Sequence, residues 1–346
     1  MSSESAKILL RKAELLCYIH DYEGAEQCYL QALTDVKKRL GADHPEVAHV
    51  YVLLAIHYRK RRQFELSERA FKNAQTVCRI AFGSESLQIS RVFVAQAHLY
   101  SVQGEMKKAA ARLRRALSIQ ERYFSLDYPD MAETMLDLSR LHQTQGRDNK
   151  AEVLARRALT LSEQSLNTWH PAVASSLRQV AHIAVRAGNY AEAEALFERA
   201  LAIMGEWSEL RNPETAPTLC DLADLYNRRQ AFRKAEKLYM RGLSILEYTL
   251  GPVHDDVVAA VDKLATLYQD SSKYSEAESW YKKLLGIREQ TLGPAHPEVA
   301  AVLHKLGRVY EQLAQEQSAH ECYERAALIE GRTEASSAAD ANGSAD

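Results

Sequence analysis

Apolar and small residues recur along the chain at positions i, i+3, i+4 and i+7, in stretches separated by short polar segments. This spacing places them on one side of an α-helix, so each stretch predicts an amphipathic helix. When the chain is compared with itself at an offset of 42 residues, one connecting segment comes into register seven times without insertion or deletion, starting at Gly41, Gly83, Ser125, Asn167, Glu209, Gly251 and Gly293. A fixed period of this size is typical of a stacked repeat array, here with two helices per period.

Residues at the same place in successive periods form columns of similar size. In the second helix a small residue, such as Ala25, precedes a bulky one, Tyr29, which precedes another small one, Ala32. The first helix has its own small column, which begins at Ala13. Small residues let two helix backbones approach closely, and a bulky side chain fills the space that their crossing leaves. We therefore predict that the small columns of the two helices face each other.

The residues between the helices agree with this interpretation. Glycines share one column just after the first helix, where a left-handed cap residue is expected: Gly104, Gly146 and Gly188. Five of the eight prolines share another column, at the predicted start of first helices: Pro45, Pro129, Pro171, Pro213 and Pro297. Histidines directly precede this column at His44, His170, His254 and His296. Because stacking spreads one histidine per repeat along the array, we predict helix capping and loop packing and no metal site.

The small and aromatic columns resemble those of the tetratricopeptide repeat, with a unit eight residues longer than the usual length of about 34. Segments such as KYSEAESWYKKLLGIREQTLGPAHPEVAAVLHKLGRVY are similar to the 42-residue repeats of kinesin light chains and nephrocystin-like proteins. The resemblance implies an all-α fold, a right-handed superhelical solenoid of about eight tetratricopeptide helix pairs whose concave wall is lined by the first helices. It extends over residues 1–331, whereas residues 332–346 are small, polar and without periodicity and predict a disordered tail.

Residues on the concave side of the first helices form the candidate peptide-binding groove. Its early part is apolar, its middle is basic and its later part is acidic, and the candidate residues are Val52, Ile56, Arg91, Val94, His98, Leu136, Arg140, Arg178, His182 and Asp224. Because arginine can bind a carboxylate with two hydrogen bonds, this pattern favours an extended or helical peptide with apolar anchors next to acidic residues. The alternative is a solvated charged face, since exposed charges contribute little to binding or stability.

Composition and motifs narrow the class of function. The net charge of −2 gives no overall attraction to nucleic acid or anionic lipid. The sequence contains no apolar run long enough to span a membrane and no secretory signal, which predicts a cytoplasmic location. Phosphate-binding, hydrolase and metalloprotease motifs are absent, and the five cysteines are scattered, which predicts no enzyme activity, no cofactor and no metal.

These observations predict a non-catalytic protein–protein interaction scaffold or adaptor whose partner is a protein or peptide, with no nucleic acid and no membrane involved. A regulatory sensor or a self-assembling subunit is the alternative. An RNA-binding helical solenoid is less favoured, because such an array needs a basic wall along its whole length and this wall turns acidic.

Overall fold

The computed structural model describes residues 4–19, 21–123, 129–166, 170–207 and 215–342, and the only regular elements among them are helices. The chain divides into two compact units, Met1–Thr168 and Trp169–Asp346, called unit 1 and unit 2 below. Unit 1 contains α1 (Glu4–Tyr18), α2 (Tyr22–Leu40), α3 (Pro45–Lys60), α4 (Phe64–Phe82), α5 (Leu87–Val102), α6 (Met106–Tyr123), α7 (Pro129–Thr144) and α8 (Asp148–Ser165). Unit 2 contains α9 (Pro171–Arg186), α10 (Tyr190–Trp207), α11 (Thr215–Arg228), α12 (Phe232–Leu250), α13 (Asp255–Asp270), α14 (Tyr274–Leu292), α15 (Pro297–Gln312) and α16 (Glu316–Asn342). Odd-numbered helices are the first helices of the repeats, and each packs against the second helix that follows it.

The small columns of the two helices meet where the helices cross, as the sequence predicts. Ser67 and Ser139 replace alanine in these columns and are fully buried. The Ser67 hydroxyl donates to the carbonyl of Ala55 at 2.7 Å, and the Ser139 hydroxyl donates to the carbonyl of Ala151, also at 2.7 Å. Each bond joins the small residue of one helix to the small residue of its partner, so the two columns face each other.

The bulky column fills the space beside these crossings. Phe71 and Phe197 are fully buried, and Tyr239 and Tyr281 are nearly so. At Gly307 a glycine stands in a small column that alanine usually occupies. At Gly307 an added Cβ would lie 2.6 Å from the ring of Tyr323, so the glycine makes room for that ring.

The turn after the first helix uses a left-handed residue in both units. Gly104, Gly146 and Gly188 have φ angles of 76°, 69° and 80°, which confirms the predicted caps. The same column continues with non-glycine residues at positive φ, which the sequence did not reveal: Arg62, Gln230, Ser272 and Ala314. The backbone geometry is thus repeated even where the residue does not favour it.

The ends of the helices largely follow the predicted signals. Pro45, Pro129, Pro171 and Pro297 each begin a first helix, while Pro213 lies outside the described residues. At the other end, α16 continues to Asn342, so the backbone of residues 332–342 is helical where the sequence predicts a disordered tail. Alanine is frequent in this segment, and its high helix propensity favours a helix even without an apolar periodicity. The division of the chain at residue 331 stays a prediction, and residues 343–346 lie outside the described part.

Candidate functional site

The apolar candidates of unit 1 lie on three successive first helices but differ in exposure. Val52 and Ile56 on α3 and Val94 on α5 are partly buried and pack against the edge of the unit 1 core. Leu136 on α7 is only 4% exposed and packs in a cluster with Met131, Met135 and Leu161. Leu136, which the sequence places on the apolar part of the groove, is enclosed by this cluster, so the exposed apolar surface among these candidates is confined to α3 and α5.

The basic candidates of unit 1 contact carboxylates, either of the neighbouring repeat or of their own helix. Arg91 on α5 donates to Asp130 on α7 at 2.8 Å. Asp137 on α7 contacts the Nε2 atom of His98 on α5 at 2.7 Å and accepts from Arg140 on its own helix at 2.8 Å. The contacts of Arg91 and His98 join two first helices, so the basic side chains already contact carboxylates and do not form a row of unpaired cations.

Unit 2 shows the same kind of pairing with more members. Asp221 on α11 lies 2.9 Å from the Nε2 atom of His182 and 3.7 Å from the Nε atom of Arg178, both on α9. Asp224 on α11 accepts from Lys263 on α13 at 2.7 Å and from the hydroxyl of Tyr239.

Further along unit 2, Asp262 on α13 accepts from Lys305 on α15 at 2.6 Å. The sequence indicated an acidic region here, but two lysines, Lys263 and Lys305, occupy equivalent positions of the period and neutralise its carboxylates. The pattern of residue types alone did not show which charges would meet across the repeats.

The Asp224 contact changes the ionisation of its partners. Burial by itself would lower the pKa of Lys263, but the Asp224 carboxylate outweighs it and the pKa of this ammonium is raised. Burial and the same carboxylate raise the pKa of Tyr239 far above its usual range. Lys263 therefore stays charged and Tyr239 stays neutral, and both serve as donors to Asp224.

Arg59, on the first-helix surface of unit 1, differs from the candidates Arg91 and Arg140. Arg59 on α3 follows Val52 and Ile56 at i+7 and i+3, which places the three on one side of the helix. Burial lowers the pKa of Arg59, with no offsetting contribution from a carboxylate. Within the described ranges no carboxylate forms an ion pair with it. Sequence reasoning missed this residue, although its spacing from Ile56 could have revealed it.

The histidines before the first helices act as caps. The Nδ1 atoms of His44, His170, His254 and His296 each accept the backbone N–H two residues later, at 3.2 Å in all four cases. This confirms the predicted capping role, since each ring satisfies one of the N–H groups that the first turn leaves open. Among the residues that the structure describes, no group of three His, Cys, Asp or Glu side chains is placed to hold a metal ion.

No helix in the described part of the chain combines the length and the apolar character needed to cross a membrane.

Comparisons with known proteins place these features in a family. Residues 4–80, 88–164, 172–247 and 257–327 match a family model described as tetratricopeptide repeat. A search of curated protein sequences finds no match.

Solved structures of similar proteins agree. The "kinesin light chain nearly identical TPR-like repeats" of Podosopora anserina are 26% identical to this chain, cover 60% of it and 98% of their own length, and superpose with a TM-score of 0.55. BtubC (BKLC) from P. vanneervenii is 23% identical, covers 71% of this chain and 92% of its own, and has a TM-score of 0.55. A Rap protein complexed with Competence and Sporulation Factor is 14% identical to this chain, covers 95% of it and 99% of its own length, and has a TM-score of 0.57. At the identity of the last two, the likeness concerns the fold alone.

Proposed function

Because this chain belongs to the tetratricopeptide-repeat family, we propose that it is a non-catalytic scaffold that holds a peptide segment of a partner protein against its first helices. Proteins of this family are generally interaction scaffolds, and the chain is an all-α helical repeat solenoid. The proposal places the main contact in unit 1, on a surface that we call the α3–α5 patch: Val52, Ile56, Arg59 and Val94.

The observation that carries the proposal is the environment of Arg59. A guanidinium that has lost much of its water without gaining a carboxylate is in an unfavourable state. A ligand carboxylate would supply the missing partner through one or two charge-assisted hydrogen bonds. Such a bond is stronger beside apolar side chains than in open water, because the local dielectric constant is lower.

The apolar residues of the α3–α5 patch favour a ligand that also carries an apolar side chain. Val52, Ile56 and Val94 are partly buried and keep some apolar surface in contact with water. Covering this surface with a leucine-sized side chain would stabilise the complex at about 25 cal/mol for each Å² removed from water. The patch therefore favours a peptide that carries an apolar residue next to a carboxylate.

The other candidate residues take a secondary role in this proposal. Arg91, His98 and Arg140 in unit 1 already contact carboxylates, as do Arg178 and His182 in unit 2. A ligand carboxylate would have to compete with these internal partners, which reduces the gain in free energy. Asp224 is engaged in the same way and would contact a ligand only by sharing its donors.

Synthetic peptides that alternate leucine with glutamate, glutamine or lysine test the proposal by fluorescence anisotropy. We expect the leucine–glutamate peptide to bind most tightly. Arg59→Glu and Ile56→Glu should each weaken its binding about tenfold or more, equivalent to about 1.4 kcal/mol. Arg140→Glu and Arg178→Glu should have smaller effects, because these arginines are already paired.

Lys72→Glu provides a matched control, since Lys72 is exposed on the second helix α4 and lies outside the α3–α5 patch. This variant should bind like the unmodified protein. The proposed site is wrong if Arg59→Glu leaves the affinity for every bound peptide unchanged. The proposed ligand chemistry is wrong if the leucine–lysine peptide binds as tightly as the leucine–glutamate peptide.

A further inference from the structure

The outer side of α1 is apolar and exposed, in contrast to the same side of the later first helices in unit 1. Ile8 is 62% exposed, whereas the residues at the same place in the period, Val50, Val92 and Thr134, are at most 3% exposed. Leu15 is 68% exposed, whereas its equivalents His57, Leu99 and Leu141 are at most 5% exposed. These positions are the ones that a first helix buries when another helix covers it.

In the later repeats a second helix covers the equivalent side of the first helix. In unit 1, α2 packs against α3 and α4 packs against α5, so the second helix of one repeat covers the first helix of the next. No helix of the described residues takes this position on α1. The α1 face, defined here as Ile8, Arg11, Lys12, Leu15 and Ile19, therefore has the shape that receives a helix running beside it.

The charge of the α1 face restricts which kind of helix can bind there. Helical spacing places Arg11 and Lys12 beside Ile8 and Leu15, and between Ile8 and Ile19 the only carboxylate, Glu14, projects to another side of α1. The equivalents of Lys12 are apolar or uncharged, Leu54, Gln96 and Leu138, and all are buried. Two cations at the centre of an apolar stripe oppose pairing of the face with itself, since like charges would meet.

Two contacts within the chain show a carboxylate of a covering helix that accepts from residues at the end of the first helix beneath it. Glu26 on α2 accepts from Tyr58 at 2.9 Å and from Arg61 at 2.8 Å, both at the end of α3. Glu194 on α10 accepts in the same way from Tyr226 at 2.6 Å and from Arg229 at 2.5 Å. In these two contacts the covering helix brings the carboxylate and the covered helix brings the cation, whereas Arg288 on α14 and Glu298 on α15 have the opposite arrangement.

We infer that the α1 face is a second docking surface, separate from the α3–α5 patch, and that its occupant is an acidic amphipathic helix of a partner protein. The apolar side of the occupant packs on Ile8, Leu15 and Ile19. Its carboxylates meet Arg11 and Lys12, which differ in position within the period from Arg61, the partner of Glu26. The docked helix continues the stacking of the repeats by one element.

A peptide with the sequence of α10 is a suitable probe, because it is acidic and already covers a first helix in unit 2. It contains four glutamates, Glu192, Glu194, Glu198 and Glu206, and one arginine, Arg199. We expect this peptide, labelled and with blocked ends, to bind the full chain in a salt-dependent way. Leu15→Glu and Lys12→Glu should each weaken its binding about tenfold or more.

Leu328→Glu is the matched control, because Leu328 on α16 is 67% exposed, nearly the same as Leu15. It should bind the probe like the unmodified chain, and the substitutions at exposed positions should leave the melting temperature unchanged. The inference is overturned if the unmodified chain does not bind the probe, if Leu15→Glu binds it equally well, or if a version with all four glutamates replaced by lysine binds equally well.

Light scattering tests whether the occupant of the α1 face is a second copy of the chain. If the mass doubles as the protein concentration rises and Leu15→Glu restores the monomer, the α1 face is a self-association surface. That result would also overturn the inference of an acidic partner helix.

Discussion

The first helices of unit 1 and unit 2 occupy equivalent places in the period but use their polar residues differently. In unit 1, α3 and α5 present partly buried apolar side chains together with Arg59, which forms no ion pair among the described residues. In unit 2, α11, α13 and α15 are joined across the same surface by Asp224–Lys263 and Asp262–Lys305. Both units join some first helices in this way, but in unit 1 the contacts of Arg91 and His98 link α5 to α7 and Arg59 on α3 stays outside them.

This difference shows that a repeat can preserve its helices while the role of its surface changes. The buried small and bulky columns are nearly the same in the two units, because any change there disturbs the crossing of the helices. The surface columns are free of that constraint. A period in the sequence therefore does not imply that each repeat contributes equally to binding.

The largest expected difference between the units concerns ion-pair removal. Asp224→Ala leaves the Lys263 ammonium and the Tyr239 hydroxyl without their acceptor, and we expect it to lower the free energy of unfolding by about 1–2 kcal/mol, since the pair is partly exposed. Arg140→Ala in unit 1 should cost less than about 0.5 kcal/mol, because His98 still contacts Asp137. Urea unfolding of the two variants measures both values. Equal losses would show that the ion pairs of the two units have the same structural weight.

A smaller difference concerns the left-handed turn residues, which are mostly glycine in unit 1 and mostly other residues in unit 2. Unit 2 has Gln230 and Ser272 at φ of 59°, and replacing either with glycine should raise stability by up to about 1 kcal/mol because the strain is relieved. Gly104→Ala and Gly146→Ala in unit 1 should lower it by about 1 kcal/mol.

Gly286→Ala is the control for this pair of predictions. Gly286 lies inside α14, and no atom lies within 4 Å of the Cβ that alanine would add. The same substitution should therefore stabilise the protein here, by about 0.5–1 kcal/mol. Thermal unfolding would contradict the turn argument if Gly104→Ala also raised the melting temperature.

The smallest expected difference concerns how the free energy of unfolding depends on pH. Burial lowers the pKa of His57 and of His142, both in unit 1, below the ordinary value of 6.5. Arg61 and Lys60 lower the pKa of His57 further and Glu26 opposes them, while Arg114, Arg147 and Lys150 lower the pKa of His142. The unfolded chain then binds protons more readily than the folded one, so the stabilisation is complete above pH 6.5 and is lost as the pH falls through the lowered values.

His57→Leu tests this dependence, because leucine occupies the equivalent positions in α5 and α7 and the Nε2 atom of His57 lacks a hydrogen-bond partner. We expect the variant to be at least as stable as the unmodified protein near neutral pH and to lose less stability on acidification. Urea unfolding at a series of pH values gives the slope. An unchanged slope would mean that His57 titrates alike in the folded and unfolded chain.

Much of the fold could be predicted from the sequence, and less of the candidate site. Local spacing predicts three features of the fold. These are the small columns that face each other at Ser67 and Ala55, the caps at Gly104 and His44, and the helix starts at Pro45 and Pro171. Asp130, the partner of Arg91, and Lys263, the lysine partner of Asp224, each lie 39 residues away in the chain, so these pairings depend on how successive repeats stack. Leu136 was assigned to the surface for the same reason, since its exposure depends on the cluster around it.

The sequence by itself determined the period, the helix pairs and the family, because these depend on residue size and turn chemistry repeated at a constant interval. Only the tertiary structure decided which charges neutralise each other, which apolar side chains stay partly exposed, and that Arg59 forms no ion pair within the described chain while Arg91 and Arg140 do. The physical reason is distance: helix formation depends on neighbours within a few residues, whereas burial and ion pairing depend on groups that packing brings together from different repeats.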